Sequence, residues 1–327
     1  MCATKKIKMI DNIKAFRKLK KISKNLDKVS YEEVKSIIKD SIQKTPICIA
    51  KVNKGHFIDR ARINKGDDLF SCESQVSYIK DRKVIDEYLT EFGRANKPHE
   101  VMFYGSVIST LIKQPRMTAL WETSELLADK NSVNVEGQLF TISRFDIIEN
   151  FEVLELVFGR QAIKNNPDIK RSFEFQMKNV EIASPELVEY SKELLIFFSE
   201  QFSRKKKTHH DYKISCAYSE LVLDNYKTPS GENLAGVSFP SVQSGLIGHN
   251  LALKPNYVDR YLKLSKVWTV KIHKNRKKAI VNNHKFVSGF GTNNCNFQWK
   301  DTNPINVRPY PEIEKELANK GCLGFWI

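Results

Sequence analysis

At Pro46 the chain changes character. Before it, Ile7, Ile10, Ile13, Phe16, Leu19 and Ile22 recur at every third residue, the spacing of an apolar stripe along a helix. Cations flank that stripe throughout, at Lys5, Lys6, Lys8, Lys14, Arg17, Lys18, Lys20, Lys21 and Lys24. The stripe needs cover, from the rest of the chain or from a second copy in a homo-oligomer, whereas the cations need water. Ser30-Tyr31-Glu32-Glu33 then has the S-x-x-E form of a capping box, which predicts a second helix from about Tyr31 to Gln43, with Pro46 ending it. Ile47-Cys48-Ile49-Ala50 opens a segment of strand character. The expected organisation is a basic helical extension over residues 1–45 and a larger unit over 46–327.

Within the larger unit, short apolar Val101–Tyr104 suits a buried strand, the alternation over Gln138–Phe145 suits a second, and Val267–Ile272 reads as a third. Leu111, Ala119, Leu120, Leu126 and Leu127 follow a helical pattern broken at Pro115, which puts Glu122 on or beside a helix. Ser184-Pro185-Glu186 is a helix start whose apolar face is Leu187, Tyr190, Leu194 and Phe197. Arg204–His210 reads as a charged connection, Asp211–Asp224 as another helix and Leu323–Ile327 as a last strand. No internal repeat or long low-complexity linker interrupts the chain.

No run of eighteen apolar residues is present, and the longest stretches, such as Leu194–Phe198, are core-sized, so no membrane span is expected. The N-terminus has lysines but neither an apolar h-region nor a small-residue cleavage site, which points to a cytoplasmic protein. Cys2, Cys48, Cys72, Cys216, Cys295 and Cys322 are scattered without a C-x-x-C pair, as expected for reduced, mostly buried thiols with no structural metal. His209-His210 reads as a pair of solvated loop histidines. A dinucleotide-binding G-x-G-x-x-G after a strand, a Walker lysine motif and a G-x-S-x-G elbow are all missing, which argues against a Rossmann dehydrogenase, a P-loop NTPase and an α/β hydrolase.

One set of residues follows a more informative order. Two arginines stand in Phe57-Ile58-Asp59-Arg60-Ala61-Arg62, a third in Gly93-Arg94-Ala95-Asn96, a tyrosine in Phe103-Tyr104-Gly105-Ser106 and an acid in Ala119-Leu120-Trp121-Glu122. A serine follows in Phe239-Pro240-Ser241-Val242, ahead of Gly248-His249-Asn250-Leu251-Ala252-Leu253. Singly, each has an ordinary use as a surface arginine, a core aromatic or a turn hydroxyl. In this order, over about residues 57–260, they resemble the RES-domain family, named for its Arg, Glu and Ser. Ala95 departs from the aromatic that the family carries after its Gly-Arg pair, and residues 1–45 and those after about 265 lie outside the resemblance.

The resemblance implies an α+β fold similar to mono-ADP-ribosyltransferases, a mixed or antiparallel sheet core with helices around it. It also implies an intracellular toxin or defence effector that degrades NAD and is restrained by an antitoxin or another regulatory protein. NAD is then substrate and not cofactor. Breaking its nicotinamide–ribose bond builds positive charge on the sugar, so a carboxylate beside the ribose, here Glu122, stabilises the transition state. The pyrophosphate suits planar guanidinium groups, Arg94 and one of Arg60 or Arg62, with Arg60 preferred as the first catalytic arginine and Asn96 as a neighbouring binding residue. Tyr104 would stack on the nicotinamide, and Ser241 would hold a ribose or phosphate oxygen. The acceptor is left open between water, inorganic phosphate and a protein side chain, the last making the chain a protein ADP-ribosyltransferase. The net charge of +15 supports an alternative of another class, a non-catalytic basic protein whose arginines contact nucleic-acid phosphates.

Overall fold

The computed structural model describes residues 2–43, 45–205, 207–228 and 231–318, with side chains from residue 10 onward. Its centre is a mixed sheet of β1 (Ile49–Val52), β2 (Phe57–Ile63), β3 (Phe103–Val107), β4 (Val133–Ile147), β5 (Phe151–Glu155), β6 (Gly236–Pro240), β7 (His249–Leu253), β8 (Leu262–Asn275), β9 (Lys278–Val287) and β10 (Trp299–Asp301). Their spatial order is β1-β5-β6-β7-β3-β2-β4-β8-β9-β10. Only β5 and β6 pair in parallel; the other neighbours are antiparallel. A parallel pair needs a long crossover, and residues 156–235 supply it as a helical layer.

The helices are α1 (Cys2–Ile22), α2 (Tyr31–Ser41), α3 (Glu73–Val76), α4 (Arg82–Tyr88), α5 (Pro115–Thr123), α6 (Glu125–Ala128), α7 (Arg160–Asn165), α8 (Pro167–Ala183), α9 (Val188–Phe202), α10 (Lys213–Asn225), α11 (Pro255–Tyr261) and α12 (Tyr310–Ala318). Ser30 caps α2, its hydroxyl accepting the Glu33 N–H at 3.1 Å, so this helix begins where the sequence pattern puts it. Pro115 does not break a helix but opens α5 at its first position, where the missing N–H costs nothing. β4 is longer than the alternation predicts because β8 pairs with it along nearly its whole length. The expected strand over Leu323–Ile327 lies outside the described residues.

α1 and α2 share one apolar cluster with the crossover helices. Phe16, Leu19, Val34, Ile37 and Ile38 are buried together with Tyr190, Phe197 and Phe198 of α9 and Tyr218 of α10. Phe16 meets Tyr190 and Phe197 edge to face at 5.8 and 5.3 Å, and the Tyr190 hydroxyl donates to the carbonyls of Asn12 and Ser41. The stripe of α1 is covered only in part: Ile13 and Ile22 are half-buried and Ile10 is exposed, while the side chain of Ile7 lies outside the described residues. A three-residue repeat drifts around a helix of 3.6 residues per turn, so the stripe rotates away from the contact toward its N-terminal end. Three smaller clusters accompany it among the described residues: one joins Ile58, Phe103 and Phe145 to α11, another joins α5 through Met117 and Leu120 to Phe140, Ile142 and Ile272, and the third joins Ile280 to Ile313 and Leu317 of α12.

Among the described residues no helix is long and apolar enough to cross a membrane. Cys48 and Cys216 are buried thiols, whereas Cys72 and Cys295 are half-exposed and face one another. His209 is also more engaged than a solvated loop histidine, since its ring stacks on Phe92 at 6.0 Å.

Candidate active site

β2 and β3 register through a single pair, Asp59 with Ser106, although an antiparallel ladder would next join Arg60 to Gly105. Instead the Arg60 guanidinium donates to the Tyr104 carbonyl at 2.6 Å. Glycine is needed at 105, because a Cβ there would lie 2.4 Å from Ile58 Cγ2. A cavity of about 270 Å³ opens here, lined by Arg60, Arg94, Tyr104, Ser106, Glu122, Tyr212, Phe239 and Asn250 among others.

Glu122 reaches the cavity from the last turn of α5. Ala119, Glu122 and Thr123 line it together, at the i, i+3, i+4 spacing of one helix face, while Met117 and Leu120 turn into the core. The Ser241 hydroxyl donates to Glu122 Oε1 at 2.6 Å, and the Gln243 N–H approaches the same oxygen at 3.5 Å. Ser241 is fully buried. Its hydroxyl also accepts the Ser244 N–H at 3.2 Å, and its own N–H donates to the Gly248 carbonyl at 2.8 Å, so the turn after β6 fixes the oxygen that fixes the carboxylate. Both contacts fall on Oε1, and no hydrogen bond involves Oε2 among the described residues.

Tyr104 is held by the Gly93–Asn96 turn. Its hydroxyl donates to Asn96 Oδ1 at 2.7 Å and accepts the Ala95 N–H at 3.1 Å, while its ring meets Phe239 edge to face at 6.4 Å. Burial raises the Tyr104 phenol well above its usual range, so it stays neutral. The same turn presents Arg94, which donates to the Phe202 carbonyl and lies over the Tyr212 ring at 5.0 Å and the Phe239 ring at 5.9 Å. Burial, with the nearby Arg62 adding to it and Tyr104 opposing, pushes Arg60 down to about 9, which leaves it cationic at neutral pH. Its Nε is buried without a partner. Neither Arg60 nor Arg94 forms an ion pair among the described residues.

The fold therefore brings Arg60, Arg94, Tyr104 and Glu122 onto one cavity, with Ser241 immediately behind Glu122. Arg62 and Asn96 do not line it. Arg62 shares a strand face with Arg60 but donates to the Gln75 carbonyl of α3, and Asn96 spends its amide on the Tyr104 hydroxyl and on the carbonyls of Lys97 and Glu100. Tyr212, Phe239 and Asn250 line the cavity without having been singled out. Phe239 and Asn250 sit in the segments quoted around Ser241 and Gly248, so their sequence neighbourhood carried a signal; Tyr212, just ahead of α10, carried none. No protein-family model matches this chain, and no curated protein matches it.

Proposed function

We propose that the protein cleaves the nicotinamide–ribose bond of NAD at this cavity. The observation that carries the reading is a pair of half-buried arginines, Arg60 and Arg94, with carbonyls but no carboxylates for partners, sharing a cavity with a carboxylate clamped by a buried serine. A cation partly withdrawn from water gains from a counter-ion, and a pyrophosphate supplies two negative charges at once. The aromatic walls, Tyr104, Tyr212 and Phe239, suit a flat heteroaromatic ring.

In the proposed reaction the glycosidic C–N bond breaks and its electron pair leaves with nicotinamide, neutralising the pyridinium. The ribose is left with oxocarbenium character, which the Glu122 carboxylate stabilises while Ser241 keeps that carboxylate oriented. The acceptor oxygen, from water or inorganic phosphate, then bonds to the anomeric carbon and loses its proton. Incubating the purified protein with NAD, with and without phosphate, and identifying products by mass spectrometry tests this. Free nicotinamide with ADP-ribose or its phosphate ester is the expected result. Intact NAD together with steeply salt-dependent nucleic-acid binding would replace the reading with the basic binding module. An intracellular toxin role adds that expression in bacteria lowers NAD before growth stops.

A further inference from the structure

Away from this cavity, the structure brings two half-exposed cysteines together from distant parts of the chain. Cys72 is the residue before α3, Cys295 lies in the loop between β9 and β10, and the two face each other as an antiparallel bridge. Directly opposed residues of this kind hold their Cβ atoms about 4.5–5.5 Å apart. A disulfide closes at about 3.5–4.5 Å, so an approach of the two backbones by about 1 Å joins them. The Ser71 hydroxyl also reaches the Cys72 sulfur, at 3.9 Å.

The two segments are held in register without a covalent bond. Phe297 N–H donates to the Ser71 carbonyl at 3.0 Å, Asn294 Nδ2 to Glu73 Oε2 at 2.6 Å and Trp299 Nε1 to the Phe70 carbonyl at 2.8 Å. The neighbouring Cys295 thiol, with the Ser71 hydroxyl and the Asn296 N–H, lowers the Cys72 thiol, which favours its thiolate. The remaining described cysteines differ: burial pushes Cys48 and Cys216 up to about 12.

We propose that Cys72 and Cys295 are a reversible oxidation site, closed to a disulfide by a low-molecular-weight disulfide such as oxidised glutathione. The Cys72 thiolate attacks one sulfur of the reagent, forming a mixed disulfide and expelling one thiolate. Cys295 gives its proton to solvent and attacks the Cys72 sulfur, expelling the second. Two protein thiols are oxidised to one disulfide, and the reagent disulfide is reduced to two thiols. The product ties the start of α3, whose Gln75 carbonyl holds Arg62, to the loop that follows β9.

The test uses the full chain, incubated with oxidised glutathione under native conditions and digested without reduction. The expected result is a peptide pair joined through Cys72 and Cys295, released by dithiothreitol, with slower amide exchange around residues 71–76 and 288–298. In Cys295→Ser the glutathione adduct should persist on Cys72, because the resolving thiol is gone. A wild-type protein that keeps the adduct on Cys72, stays fully reduced, or links other cysteines overturns the proposal. The wild-type peptide map decides the matter even if a variant folds poorly.

Discussion

Replacing Glu122 by glutamine isolates the charge of the proposed catalytic group. The amide keeps an oxygen where Oε1 stands, so the Ser241 hydroxyl, now at 2.6 Å, and the Gln243 N–H retain their acceptor. Folding stability should therefore change by less than about 1 kcal/mol, within the usual range for a substitution that opens no cavity and strands no buried group. The transition state loses the attraction between a carboxylate and a sugar developing positive charge. Two unit charges about 4 Å apart at an effective dielectric of about 20 interact by about 4 kcal/mol. Removal of one preorganised electrostatic group in other enzymes slows turnover by about 100- to 1,000-fold, the same scale. The assay is nicotinamide release at saturating NAD, with melting temperature and circular dichroism recorded on the same preparations. Equal turnover in the variant and the wild type would refute the assignment, and a slow variant that has also lost its fold would not support it.

Ser241→Ala leaves the Glu122 carboxylate with only the longer Gln243 contact; losing a charged hydrogen bond of about 1.5–3 kcal/mol should lower kcat by about 10- to 150-fold with KM changed less, as steady-state kinetics would show. Arg94→Ala removes a cation useful in both ground and transition states, so calorimetry should find NAD binding at least about tenfold weaker. Tyr104→Phe strands the Ala95 N–H and Asn96 Oδ1, and denaturant unfolding should report a loss of about 1–3 kcal/mol. A chain beginning near Thr45 would uncover the faces of α9 and α10 that bury Phe16, Leu19, Val34, Ile37 and Ile38, and is expected to aggregate or melt well below the full chain in a thermal scan; a soluble, equally stable fragment would contradict that packing.

What the sequence made legible was mostly local. The serine cap of α2 and the strand character of residues 267–272 depend on neighbours a few positions away, and they appear where expected. Pro115 was read as a break because proline stops and starts helices alike, and only the following packing of Met117 and Leu120 shows which. The choice between Arg60 and Arg62 had no local solution, since residues two apart share a strand face. The carbonyls that separate them, Tyr104 and Gln75, come from other elements. Asn96 was noticed beside Arg94, but its work is to hold a tyrosine eight residues away. Tyr212 reaches the cavity from the helical crossover, and no periodicity could have marked it. The cysteine spacing likewise hides the meeting of Cys72 with Cys295, which depends on a bridge between remote loops.

The clamp on Glu122 also has a consequence for timing. The carboxylate and the hydroxyl that orients it are 119 residues apart in the chain, and β3, which carries Tyr104, lies between β2 and the later-made β7. At typical synthesis rates of about 5–20 residues per second, roughly 6–24 seconds pass between the appearance of the acid and of its anchor. Until β7 arrives, Tyr104 has a strand neighbour on one side only, and until Ser241 is made Glu122 has no serine to hold it. The ribosome is thus expected to carry an incomplete site through most of translation, and an interrupted chain ending before Ser241 should be inert.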